Sequence, residues 1–228
     1  MPVGKVMARQ AAKASREVYG QASRKAAATS FKRYAKTLSS LGKDVAKFHP
    51  VAGKRVRRVA PNLLRGPAAQ TEAAFKKLVA RHKIRTMITL LDPTNPKEIG
   101  LIRLERKMAR KLGVELQHVA MPFGIAPPKE SIAKFLRLTT DKAKGQIYLH
   151  CRLGRDRTGT MVAVFREAVQ KWSPSKALAE MKSFGYSPAR EPYLSYLGKF
   201  VKSFGAKINQ PGQNPVGKLL QAAAARLR

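Results

Sequence analysis

The 228-residue chain has a single cysteine, and the residues around it have types that together can do phosphoryl chemistry: His150-Cys151-Arg152-Leu153-Gly154-Arg155-Asp156-Arg157-Thr158-Gly159. Displacing an oxygen from a phosphate monoester takes a nucleophile, a cradle for the equatorial oxygens and a proton donor for the leaving oxygen. Apolar Ile147-Tyr148-Leu149 precedes this segment and a helical run from Thr158 follows it. The N–H groups of a turn placed there converge on an anion at the positive end of a helix. The same field favours the thiolate of Cys151.

Each neighbour has an expected part. Arg157, six residues past the cysteine, offers a planar fork of donors that matches two phosphate oxygens. Gly154 permits close backbone approach, and Gly159 lets the next helix begin near the sheet. Thr158 brings a hydroxyl that can stabilise the thiolate as it leaves a phosphoenzyme, and His150 orients the cysteine. Arg152, Leu153, Gly154, Arg155 and Gly159 form the expected phosphate-binding wall. The charge of Arg152 and Arg155 favours substrates with more than one phosphate, against a background of general surface basicity.

Six fixed positions at set offsets, each filled by chance roughly one time in twenty, make an accidental match rarer than about one in ten thousand chains of this length. The pattern His-Cys-x-x-Gly-x-x-Arg-Thr-Gly resembles the signature of the protein tyrosine phosphatase superfamily, and its surroundings look like the compact dual-specificity branch. The resemblance covers roughly residues 56–202, through Leu64-Arg65-Gly66, Ile84 to Leu91, Gly113 to Pro122, and Trp172-Ser173 to Gly185. It implies a two-step reaction through a cysteinyl-phosphate, with no metal or other cofactor, in which Cys151 and Arg157 are required.

The chain departs from the family pattern at the general acid. The family places an aspartate some thirty residues before the cysteine, where this chain reads Met121-Pro122-Phe123-Gly124-Ile125-Ala126-Pro127-Pro128. Asp156, inside the loop, resembles the arrangement of superfamily members that act on phosphoinositides or on mixed protein and lipid substrates. Asp92 is its rival, and His118 reads as a satisfied structural histidine.

The elements that must position this loop follow from periodicity. Helices are expected over 70–82, 97–112, 131–142, 158–169, from Ser173 or Ser175 to Met181, and over 192–200. Strands are expected over 83–91, 114–121 and 147–149, with Gly113 as a helix C-cap. This alternation predicts an α/β fold, a central, mainly parallel sheet flanked by helices, with a basic helical extension at the N-terminus. The expected division is an extension over 1–55, a catalytic domain over 56–202 and a flexible basic tail over 203–228. Helices are expected at 5–19 and 29–48, the second with Phe31, Tyr34, Leu38 and Leu41 on one face.

Hydrophobic residues at 44% and charged residues at 26% are ordinary for a globular protein, so composition does not argue for disorder. The sign of the charge is not ordinary. Lys and Arg number 46 against 13 acids, a net +33, and residues 1–60 alone hold fifteen Lys and Arg against Glu17 and Asp44. Such an excess calls for an anionic partner. A phosphorylated protein or phosphoinositide substrate is expected, with an acidic membrane surface met through residues 1–55. Nucleic acid is less favoured, because no interleaved aromatic and basic pattern marks base recognition. A single thiol and the absence of a long apolar run point to a cytoplasmic protein, peripheral at membranes, although the basic N-terminus also resembles an organelle-targeting segment.

Overall fold

A computed structural model describes residues 56–122, 124–189 and 191–208. The helices expected at 5–19 and 29–48, and the bulk of the basic tail, lie outside the described residues.

The chain builds β1 (Arg57–Ala60), β2 (Leu63–Pro67), α1 (Glu72–His82), β3 (Thr86–Thr89), α2 (Pro96–Leu112), β4 (Glu115–His118), α3 (Lys129–Thr140), β5 (Ile147–Cys151), α4 (Asp156–Ala168), α5 (Pro174–Ser183) and α6 (Ser195–Ile208). Short 3₁₀ turns stand at Lys142–Lys144 and Pro192–Leu194. The strands lie in the order β1-β2-β5-β3-β4, antiparallel only between β1 and β2. The expected mainly parallel α/β sheet is therefore present.

β5 is the centre of the sheet, paired in parallel with β2 on one side and β3 on the other. All of its residues, and all of β3, are buried, which is why both are dominated by apolar and β-branched residues, with Thr86, Thr89 and His150 as buried polar members. Successive side chains alternate between faces. The row Leu64, Tyr148 and Met87 packs under α1 and α2, while Leu63, Ile147, Leu149 and Ile88 pack against the helices of the other face. Gly66 has to lack a side chain because the Tyr148 ring lies over it and donates its hydroxyl to Pro67 O at 2.8 Å.

Local signals set the helix ends. Thr71 caps α1, Asn95 caps α2 with Pro96 at its first turn, and Ser173 caps α5. Gly113 ends α2 at φ +65°, as expected.

Three features differ from the sequence expectation. The β1–β2 hairpin was not foreseen, because its strands are short and rich in arginine. β3 and β4 are shorter than 83–91 and 114–121, since pairing stops where the chain turns away from its neighbours. α6 runs to Ile208, beyond the boundary set at 202, because Phe204 and Gly205 are buried and Phe204 stacks on Phe200. Among the described residues no helix is long and apolar enough to cross a membrane.

α6 closes over a buried carboxyl. Glu167 of α4 is fully buried beside Gly205, and among the described residues neither of its oxygens has a hydrogen-bond partner. Burial pushes its pKa up to about 8. The folded protein then holds a proton that the unfolded chain releases near its ordinary value, so stability is lost as pH rises from about 4.5 through about 8. Glu167→Gln is expected to raise the melting temperature little at pH 5 and clearly at pH 8.5, as scanning calorimetry at the two pH values would show. An equal shift at both would rule out the titration.

Candidate active site

The central strand ends on Cys151, which is only 3% exposed, and α4 starts five residues later. Between them the chain turns tightly enough to reach Gly154 at φ +69°. A Cβ there would overlap the carbonyl of Gly66, so the position admits only glycine without displacing β2.

What shapes the loop is where its carbonyls go. Ala68 N donates to Cys151 O at 3.0 Å and to Arg152 O at 3.2 Å. Arg65, buried in β2 beneath the loop, donates from Nη2 to Gly154 O at 2.9 Å. In a trans peptide the N–H points opposite to the preceding C=O. Tying these carbonyls outward therefore turns the N–H groups of Arg152, Leu153 and Arg155 to the other side, as an anion cradle needs. α4 also begins without a side-chain cap, unlike α1, α2 and α5, so its first amides are not taken up by a cap.

Arg157 is held in place. Its Nη1 donates to Leu90 O at 2.8 Å and to Glu98 Oε2 at 3.0 Å, and its Nη2 donates to Glu98 Oε1. Glu98 comes from the first turn of α2, is buried, and also accepts from Asp92 N at 2.7 Å. Burial works against the Arg157 charge, but Glu98 and Cys151 outweigh it and hold the pKa above its ordinary value. One edge of the fork is thus anchored on a carboxylate.

Thr158 is fully buried and its hydroxyl has no hydrogen-bond partner among the described residues. His150 is buried, stacked on Tyr148, and kept neutral by burial, which lowers its pKa to about 3. Its Nε2 lies 3.5 Å from Glu105 Oε1.

Other predicted residues fall in less expected places. Leu153 is 40% exposed and Arg152 is exposed at the rim. Arg155 instead turns inward, with Nη2 2.8 Å from Glu191 Oε2 and 3.2 Å from Asp156 Oδ2, so two carboxylates meet its charge. Gly159 sits inside α4, where a Cβ would come 2.8 Å from Met181, and so serves the packing of α5 on α4.

The two candidate acids are placed differently. Asp156 stands in the first turn of α4 with Oδ1 buried and without a hydrogen-bond partner among the described residues. Burial raises its pKa, and Arg155 opposes the rise. Asp92 is buried in the turn after β3, and its Oδ1 accepts from Thr94 N at 2.9 Å and from the Thr94 hydroxyl at 2.6 Å. His118 lies at the end of β4, on the sheet edge, with its pKa lowered to about 4 by burial.

Sequence reasoning missed Glu98, Arg65 and Glu191. An arginine inside the apolar run Leu63-Leu64-Arg65 was the available signal for Arg65. The two glutamates look like ordinary helix-start and loop residues.

A parallel sheet whose central strand delivers a cysteine into an anion-cradling loop, with an arginine from the following helix pinned beside it, defines a cysteine-based phosphatase of the tyrosine phosphatase kind. The family model described as DSP-PTPase phosphatase fused to NAD+ kinase matches residues 43–190, and the chain belongs to this family. It is 29% identical over 165 residues to human phosphatidylglycerophosphatase and protein-tyrosine phosphatase 1, covering 71% of this chain and 80% of that protein. It is 26% identical over 144 residues to the yeast (Saccharomyces cerevisiae) inositol diphosphatase SIW14, covering 59% of this chain but only 48% of that one. The crystal structure of TpbA from Pseudomonas aeruginosa superposes with a TM-score of 0.51 at 22% identity, over 74% of this chain and 90% of that one, which speaks to the fold.

The Glu98 pin generates a prediction. Glu98→Gln keeps the shape but removes the charge that fixes the fork, and a misplaced catalytic group costs about 10² in rate. kcat/KM on an aryl phosphate is expected to fall by about that factor. Glu98→Ala, which strands a buried guanidinium, is expected to cost about 3–5 kcal/mol of stability in denaturant titration. A Glu98→Gln protein that turns over at the parent rate would dismiss the pin.

Proposed function

We propose that the protein hydrolyses phosphomonoesters through a cysteinyl-phosphate on Cys151, with Arg157 and the loop amides binding the phosphoryl oxygens. The observation that carries this reading is the loop itself: its carbonyls are tied outward by Ala68 N and Arg65, and Arg157 is anchored by Glu98 beside Cys151.

In the first step the Cys151 thiolate forms an S–P bond while the P–O bond to the leaving group breaks, and Asp156 gives that oxygen its proton. In the second step the Asp156 carboxylate takes a proton from water as the water oxygen attacks phosphorus. The S–P bond breaks, and phosphate and the thiolate are released, the latter met by the Thr158 hydroxyl. Asp156 is favoured over Asp92 because its raised pKa suits a proton donor and Oδ1 has no partner, whereas Asp92 Oδ1 is occupied by Thr94. His150 keeps the strand end in place and takes no proton.

The favoured substrates are phosphotyrosine and phosphoserine or phosphothreonine in proteins. Phosphoinositide lipids are the second reading, supported by the chain's net charge of +33, while the name of the human relative supports a phospholipid headgroup more generally. With the Arg155 charge engaged by Glu191 and Asp156, Arg152 is the loop arginine left at the rim to meet a further phosphate. A cytoplasmic location, with the positive charge of residues 1–55 turned toward an acidic membrane surface, belongs to the same proposal.

Cys151→Ser is expected to abolish turnover of an aryl phosphate while still binding vanadate, and Arg157→Ala to lose both. More than trace turnover by Cys151→Ser would refute the nucleophile. General acid catalysis is worth roughly 10² to 10⁴ and matters most for a poor leaving group. Asp156→Asn is therefore expected to slow alkyl phosphates far more than an activated aryl phosphate. Equal losses on the two substrates would assign Asp156 to structure.

A further inference from the structure

A cavity of about 520 Å³ opens between α2 and the outer strand β4, lined by Thr89, Glu105, Arg106, Arg110, His118 and Lys134 among others. None of the residues 150–159 lines it. It is large enough for a small phosphorylated molecule.

Its floor is polar for a reason set by register. His118, Thr89 and His150 lie side by side across β4, β3 and β5, on the sheet face that α2 covers. Glu105 of α2 lies over this row, only 1% exposed, with the Thr89 side chain and His150 Nε2, the latter at 3.5 Å, as its polar neighbours. His118 Nε2 is buried and has no hydrogen-bond partner among the described residues. A buried polar atom without a partner is costly, and a ligand entering this cavity would satisfy His118 Nε2.

The walls supply charge of one sign. Arg106 and Arg110 are one turn apart on α2. Lys134 reaches round the sheet edge from α3, its Nζ donating to His118 O at 3.0 Å. The two titratable groups on the floor do not add charge at neutral pH. Burial pushes Glu105 up to about 8 and pulls His118 down to about 4. A carboxyl and an imidazole in those states can each donate a hydrogen bond.

We propose that this cavity is a second anion site, separate from the Cys151 loop, that takes the phosphate group of a soluble small molecule. Guanidinium and ammonium groups converge on it from two helices, and the Glu105 carboxyl and His118 imidazole supply the neutral donors beneath. Its floor also lies against the catalytic loop, since Glu105 Oε1 is 3.5 Å from Nε2 of His150, the residue before Cys151.

The test uses the full chain with Arg157→Ala, which weakens the catalytic loop, and inorganic pyrophosphate as probe in a calorimetric titration. One binding event is expected to remain. Adding Arg110→Glu and Lys134→Glu is expected to weaken it by about tenfold or more, the loss that goes with removing charged hydrogen-bond partners. Lys76→Glu with Lys77→Glu, an equal charge change on the exposed face of α1, is expected to alter it less than about threefold. No binding in the Arg157→Ala protein, or equal weakening by the two pairs, would overturn the site. Equal affinity for citrate would overturn the phosphate class. If the α2 and α3 substitutions unfold the protein, the His118 imidazole nitrogens in the Arg157→Ala chain give the answer by NMR. They are expected to shift on adding pyrophosphate, and unmoved signals reject the proposal.

Discussion

A guanidinium that is to meet two phosphoryl oxygens has to present one edge while its other edge is restrained, and in this protein Glu98 is the restraint. The carboxylate engages both terminal nitrogens of Arg157 and simultaneously accepts the amide of Asp92. One side chain therefore ties the start of α2, the turn after β3 and the start of α4 together. Leu90 contributes twice to the same junction, its O accepting from Arg157 and its N donating to His150 O at 2.8 Å. Displacing Glu98 would loosen three elements at once, and so the rest of the site depends on it.

Such a junction carries an uncommon load of buried charge. Arg65 is almost wholly buried, with burial lowering its pKa to about 10, and two of its nitrogens have no hydrogen-bond partner among the described residues. What it gains in return is the Gly154 carbonyl and a position 3.9 Å over the Phe184 ring. Arg155, Asp156 and Glu191 form a second cluster at the other end of the loop. Buried ions stabilise weakly against an apolar alternative, so their presence here is better understood as specifying one loop geometry. The apolar faces of the sheet supply the folding energy, and the buried charges spend part of it.

Much of the fold was legible because the signals were local. Apolar and β-branched content marked β3, the apolar Ile147-Tyr148-Leu149 marked β5, and Gly113 and the turn residues marked helix ends. The cysteine loop was legible because its residues are contiguous, so spacing alone carried the pattern. What escaped notice was non-local. Nothing in the sequence around Glu98 says that it will face an arginine 59 residues later, and Arg65 meets a carbonyl 89 residues away. The inward turn of Arg155 was hidden for the same reason, since its partner Glu191 enters from beyond α5. The β1–β2 hairpin was lost among arginines because an exposed edge tolerates polar residues that a central strand does not.

That hairpin also bears on how copies of the protein meet. A sheet edge presents unpaired backbone groups that can recruit another chain. β1 is only four residues long, has a register shift between Arg58 and Ala60, and exposes Arg57 and Arg58. At the opposite edge, Lys134 occupies the carbonyl of His118, and Lys144 pairs with Glu115 at 2.8 Å. Both borders of the sheet are thus short and guarded by charge. Copies of the molecule can meet while their strands remain closed to one another.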